Sequence, residues 1–146
     1  MGSESRPIAA TEGVEEFRWP VRVYYEDTDA AGMVYHSNYL KYMERARTEW
    51  LRALGFSQQR LREEEGILFV VTNMAIRFQR PARFDELLNV TTRIANMNAA
   101  SLNFIQAIAN TGPVCEAEVT VACLDAANLK PRRLPESIKE VFHHGR

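Results

Sequence analysis

Cysteine is scarce in this chain: Cys115 and Cys123 are the only two in 146 residues. Two are too few for a disulfide scaffold, and a reducing cytoplasm is their simplest home. No C-x-x-C or H-x-x-x-H occurs, so no metal site is expected. An excess of one charge is also missing. Eighteen basic residues face nineteen acidic ones, a net charge of −1, which gives no general reason to bind nucleic acid or an anionic membrane. Long apolar runs are absent too. The longest uncharged stretch, Ile94–Cys115, carries four Asn, a Gln and a Gly-Pro pair, so no transmembrane segment is expected. The opening "MGSESRPIAATEG" lacks the apolar core of a secretory signal and is read as a disordered leader over residues 1–15. There is no internal repeat, P-loop, G-x-S-x-G or G-x-G-x-x-G.

What is present is an ordinary soluble composition, 46% hydrophobic and 25% charged. It suits one domain over residues 16–146 with a core large enough to need no staples. "FRWPVRVYYED" (17–27) suits a strand with Val21, Val23 and Tyr25 on one face. From Asn38 the period changes. Leu40, Met43, Ala46, Trp50 and Leu54 recur every three or four residues, the stripe of a helix. Ser37 or Asn38 is the expected cap and Gly55 the expected stop. Such a helix has roughly 17 residues and a length of about 25 Å. Arg45 and Glu49 sit at i,i+4 on it. A short polar helix, "SQQRLREEEG", follows.

Four strand patterns come next. In "ILFVVTNMAIRFQ", alternation sets Leu68, Val70, Thr72, Met74, Ile76 and Phe78 on one face. "LLNVTTRIANM" and "ASLNFIQAIAN" follow. In "VCEAEVTVACLD", Cys115, Ala117, Val119, Val121 and Cys123 face one way and Glu116, Glu118 and Thr120 the other. "PESIKEVFHH" reads as a terminal helix. Short loops between strands imply an antiparallel sheet, and one long apolar-striped helix must lie across it. The class is α+β.

The chemistry concentrates in "YYEDTDAAGMVYHSN" (24–38), where Glu26, Asp27 and Asp29 crowd together just before the helix. Asx-type turn bonding explains such a cluster in most proteins. The alternative is a carboxylate set beside an electrophile site. The free amides and dipole at the helix N-terminus would polarise a carbonyl. A nearby carboxylate would then attack it or activate water. Ala30, Ala31 and Gly32 leave room for a ligand to approach. His36, the only histidine outside the C-terminal pair, reads equally as a cap-region residue or as a substrate contact. Tyr25 reads by default as a core aromatic whose hydroxyl has a polar role open to it. In the basic loop "LKPRRLP", Lys130, Arg132 and Arg133 form a cluster suited to phosphate. Arg80 and Arg83 are weaker candidates for that task.

The segment "RVYYEDTDAAGMVYHSNYLKYMERARTEWLRALGF" resembles the signature of hot-dog-fold acyl-CoA thioesterases of the 4-hydroxybenzoyl-CoA thioesterase family, in particular the Tol–Pal-associated, YbgC-type branch. "FVVTNMAIRFQRPARFDELL" and "VACLDAANLKPRRLPESI" are similar as well, and the resemblance spans about residues 17–142. It implies a long helix wrapped by a five-stranded antiparallel sheet. It implies a homodimer or homotetramer with the active site at the dimer interface, and acyl-CoA as substrate. No separate cofactor is implied, because CoA belongs to the substrate.

By position in the motif, Asp29 becomes the nucleophile or general base, with Tyr25 and His36 as its catalytic companions and Asp27 as structural support. Lys130, Arg132 and Arg133 become the CoA-phosphate contacts. Gly32, Met33, Val70, Val71 and Thr72 become the substrate pocket. Two alternatives stay open. One is a hot-dog 3-hydroxyacyl-thioester dehydratase. The other is a scaffold for acyl carrier protein or lipid-synthesis enzymes with weak hydrolysis.

Overall fold

In the computed structural model, which describes residues 15–144, strand β1 (Phe17–Arg22) precedes the long helix α1 (His36–Ala53). Four strands follow: β2 (Ile67–Phe78), β3 (Leu87–Met97), β4 (Ser101–Ala109) and β5 (Pro113–Asp125). Between α1 and β2, α2 (Gln58–Arg60) widens into a π turn at Leu61–Glu65. It stops at Gly66, whose φ of 67° supplies the left-handed C-cap. Helix α3 (Glu136–His144) ends the described chain. The expected leader lies outside the described residues except for Glu15.

The strands form one antiparallel sheet in the order β1-β3-β4-β5-β2. β2 therefore sits at an edge, paired only with β5 among the described residues. Helix α1 lies on one face of the sheet. It buries Tyr39, Tyr42, Met43, Ala46, Trp50 and Leu51. The stripe is rotated from the expected one, because Leu40 is 38% exposed while Tyr39 and Tyr42 turn inward. Trp50 anchors the packing: it stacks on Phe17 at 6.1 Å and meets Phe104 and Phe142 edge-on at 6.3 and 5.0 Å. The i,i+4 partner expected of Glu49 is replaced by Arg52, one turn on.

One polar network crosses the helix–sheet interface. Gln106 and Thr92 are fully buried. Gln106 donates to the Met43 carbonyl at 3.0 Å and to Thr92 Oγ1 at 2.9 Å, and its Oε1 accepts from Arg47 at 2.9 Å. Every polar atom of the Gln106 amide is used, so it can be buried without a large penalty.

The alternation expected for β5 is observed, with Cys115, Ala117, Val119, Val121 and Cys123 all buried. Both cysteines are free thiols. In β2 the alternation changes phase. The register passes from Val71↔Val121 to Asn73↔Thr120, so Thr72 is the extra residue of a bulge. Ile67, Phe69 and Val71 therefore share the helix-side face with Met74, Ile76 and Phe78. Leu68 and Val70, expected on that face, lie on the other.

Candidate active site

The acidic segment between β1 and α1 folds back on itself. Tyr25–Asp27 forms a single 3-10 turn. Asp27 is the structural acid of the three. Its Oδ2 accepts the Tyr24 amide at 2.9 Å. Its carbonyl accepts the Tyr35 amide at 3.0 Å and the Asn38 side chain at 2.8 Å. Thr28 and Val34 then form an isolated bridge that closes a small loop over residues 29–33.

Asp29 sits at the base of that loop. Its amide donates to the Met33 carbonyl at 2.8 Å and its carbonyl accepts from Gly32 at 3.0 Å. Gly32 takes a φ of 81°, which a β-carbon would strain. The Asp29 carboxylate is divided in its roles. Oδ1 accepts the amides of Ala31 and Met33 at 2.9 and 3.2 Å. Oδ2 has no partner among the described residues. One oxygen is thus fixed by the loop, and the other is free of it.

The loop is held against the chain that leaves β2. The Val34 amide donates to the Ala82 carbonyl at 2.9 Å, and Met33 bridges Arg83. The Tyr39 hydroxyl accepts the Ala82 amide at 3.0 Å. Burial pushes the Tyr39 phenol up, and that amide pulls it partly back.

Helix α1 begins at His36, one or two residues before the sequence suggested. Its N-cap is Tyr35, and no side chain caps it. Asn38, an expected cap, is committed to Asp27 instead. The amides of His36 and Ser37 have no acceptor among the described residues. They form the positive, unsatisfied end of the helix.

Asp29, His36 and Met33 line one open cavity of about 420 Å³. Tyr39 and Phe78, with rings 5.7 Å apart, form an aromatic wall. Arg80 also lines it. Phe78 and Arg80 were not among the first-choice site residues. The signal for them was the turn of "RFQRPARF" at the end of β2, which returns the chain to the acidic loop. Among the described residues, no group of three or more His, Cys, Asp or Glu could hold a metal. No described helix is long and apolar enough to cross a membrane.

Other expected site residues fall elsewhere in this single chain. Tyr25 is 80% exposed rather than part of the core, because the 3-10 turn carries it off the strand face. It packs edge-on against Phe84 at 5.7 Å and lines a separate cavity with Arg22 and Asp85. Val70, Val71 and Thr72 lie along β2 and do not line the Asp29 cavity. Lys130, Arg132 and Arg133 stand on the loop after β5, also away from it. Arg132 is already engaged, its Nη1 donating to the Gly66 carbonyl at 3.1 Å and to Asp125 Oδ2 at 3.3 Å. Asp125 is held below the usual carboxylate range by the amides of Ala127 and Asn128, with Arg132 adding to the effect. Lys130 and Arg133 make no ion pair among the described residues.

The comparisons with known proteins agree with this architecture. Residues 23–142 match the family model of the thioesterase-like superfamily. The chain is 52% identical over 128 residues to the acyl-CoA thioester hydrolase YbgC of Escherichia coli O6:H1, covering 86% of this chain and 95% of that one. It is 48% identical over 129 residues to the acyl-CoA thioesterase YbgC of Haemophilus influenzae, covering 88% and 95%. The crystal structure of a probable thioesterase from Bartonella henselae superposes with a TM-score of 0.79 at 40% identity, over 82% of this chain and 99% of that one. With the strand order, the helix and the loop all in place, the chain belongs to the thioesterase-like superfamily.

Proposed function

We propose that this chain hydrolyses acyl-CoA thioesters to the free acid and CoA, with Asp29 as its reacting carboxylate. One observation carries the reading: Asp29 is fixed through Oδ1, its Oδ2 has no partner among the described residues, and the residue lines the same cavity as His36 at the uncapped start of α1. The thioester carbonyl oxygen binds at the amides of His36 and Ser37. Oδ2 then attacks the carbonyl carbon, or takes a proton from a water that attacks it. Negative charge gathers on the carbonyl oxygen, where the amides and helix dipole stabilise it. Collapse breaks the C–S bond and expels the CoA thiolate, which is protonated on release. If Asp29 attacks, a mixed anhydride forms and water cleaves it. The relatives' names support this activity.

The reading includes a second copy of the chain. β2 is a twelve-residue edge strand with Val71 and Phe78 46% and 48% exposed, and such an edge is normally covered. Two copies paired antiparallel along β2 extend each sheet. Val70, Val71 and Thr72 then lie along the seam between the copies, with Val71 on the helix-side face and Val70 on the opposite one. The Arg132–Gly66 bond holds the basic loop beside the start of β2. Antiparallel pairing sets that start against the end of the partner's β2, where the cleft opens. Lys130 and Arg133 would thus reach CoA phosphates bound to the other copy.

Asp29→Asn tests the assignment. Thiol release from acyl-CoA should fall by roughly a thousandfold or more, as expected when a reacting group is removed, while the fold is kept. Near-normal turnover by that variant would falsify the role of Asp29. Label on the Asp29 carboxylate after a single turnover in ¹⁸O-water would establish the anhydride route, with water attacking the Asp29 carbonyl carbon.

A further inference from the structure

Among the described residues, Arg80 is the one guanidinium that lines the Asp29 cavity. The position is built. The amides of Gln79 and Arg80 both donate to the Val114 carbonyl, at 2.8 and 3.1 Å, which pins the backbone to the start of β5. The antiparallel run that sets Val34 beside Ala82 and Met33 beside Arg83 brings Arg80 up to the first residue of α1. On the side chain, a single nitrogen carries the attachments. Nη2 donates to Asn110 Oδ1 and, at 3.1 Å, to Thr111 Oγ1 at the tip of the β4–β5 hairpin. Gly112 lies under the guanidinium: a β-carbon there would stand 3.6 Å from its Cζ and Nη2. Both acceptors are neutral, and no carboxylate lies within ion-pair distance of Arg80 among the described residues. Nη1 and Nε have no acceptor there either.

A guanidinium held by one corner, unneutralised, and lining a cleft with Met33, Val34, Phe78 and Tyr39 has two nitrogens left for an oxyanion. We infer that Arg80 is a specificity residue that binds an oxyanion of the thioester substrate. The oxyanion is either a carboxylate at the far end of the acyl group or a CoA phosphate. Both present the same planar or tetrahedral oxygens to the free edge of the guanidinium. The inference rests on the thioesterase reading above, since it concerns which thioesters that site prefers.

The test compares wild type, Arg80→Gln and Arg80→Lys on three thioesters: hexanoyl-CoA, adipoyl-CoA and the hexanoyl thioester of N-acetylcysteamine. The second adds a terminal carboxylate, and the third lacks every phosphate. If the acyl carboxylate is bound, Arg80→Gln lowers the kcat/KM ratio of adipoyl-CoA to hexanoyl-CoA by roughly tenfold or more, the size of one charge-assisted hydrogen bond. If a CoA phosphate is bound, both CoA esters fall by that factor relative to the N-acetylcysteamine ester. Arg80→Lys, which keeps the charge, should recover part of whichever ratio is lost. The inference is overturned if all three substrates keep their wild-type ratios in Arg80→Gln, whether the rates stay high or drop together. It is also overturned if Lys recovers nothing. Asp29→Asn in the same panel keeps the two readings apart: persistent turnover there defeats the catalytic assignment and leaves the Arg80 ratios to be judged separately.

Discussion

The side-chain amide of Asn38 donates to the carbonyl oxygen of Asp27 at 2.8 Å. This bond joins the first turn of α1 to the segment that leads into the Asp29 loop, and its two residues are eleven apart in the chain. The carboxylate and the helix amides must keep a fixed separation if both are to act on one carbonyl group. The Tyr35 amide reaches the same oxygen at 3.0 Å, so the tie is double and one half can be cut without unfolding the loop.

Asn38→Ala should therefore lower kcat more than it raises KM. The expected loss is about tenfold in kcat, because positioning of reacting groups is sensitive to small displacements. Stability should fall by about 1 kcal/mol, the usual worth of one such bond. Steady-state kinetics by thiol release, paired with thermal unfolding, checks both. A lower Tm with kcat unchanged would reduce Asn38 to a structural staple.

Two buried acids give the fold an alkaline limit. Burial, followed by the nearby Asp27 carboxylate, pushes the Tyr42 phenol above its ordinary value of 10.0. Burial, followed by Glu116, pushes the Cys115 thiol from 9.0 up to about 12. In both, the folded pKa lies above the unfolded one. Their stabilisation is complete below the unfolded values and is lost as pH rises through the folded ones. Stability should thus start to fall near pH 9 and keep falling toward pH 12. Tyr42→Phe isolates one contribution. The Tyr42 hydroxyl is buried with no hydrogen-bond partner among the described residues, so removing it should leave Tm at pH 7 unchanged or higher. The drop between pH 7 and pH 11 should become shallower. Equal alkaline slopes in variant and wild type would show that Tyr42 stays neutral in neither state's favour.

Much of the fold could be read from period alone. From Cys115 to Cys123 β5 alternates without interruption, and its inward face is the one expected. The element order was legible because each strand is bounded by turn residues. β2 shows where that reading fails. Thr72 continues the alternation on paper, but the bulge inserts it as an unpaired residue and inverts the phase before it. Residue identity gives no warning of this, since Thr suits either face. The stripe of α1 was misplaced for a related reason. Tyr39 and Tyr42 read as amphipathic, and only the Ala82 amide reveals why one buried hydroxyl is tolerated. In the site, the loop and helix start were legible because Asp29 and His36 are close in sequence. Arg80 and Phe78 enter the cleft through tertiary packing, and Arg132 is spent on Asp125 and Gly66, neither of which periodicity can report.

Val71 stands beside the Thr72 bulge on the open edge of β2 and is 46% exposed in the single chain. A charge there costs the isolated chain little, since the side chain already meets water. In a pair of copies joined along β2 the partner would cover the helix-side face and bury the same charge, and inward-pointing charges on edge strands oppose pairing in this way. On the proposed pairing, Val71→Lys should therefore give a folded species of lower mass than wild type by light scattering, half of it for a simple dimer, with an unchanged circular dichroism spectrum. If the proposed pairing holds, its kcat/KM on acyl-CoA should drop at least tenfold, because each cleft would lose the partner's seam and basic loop. Raising the enzyme concentration should recover specific activity if pairing is weakened rather than abolished. Wild-type mass with wild-type activity would remove β2 from the interface and require each cleft to work within one chain.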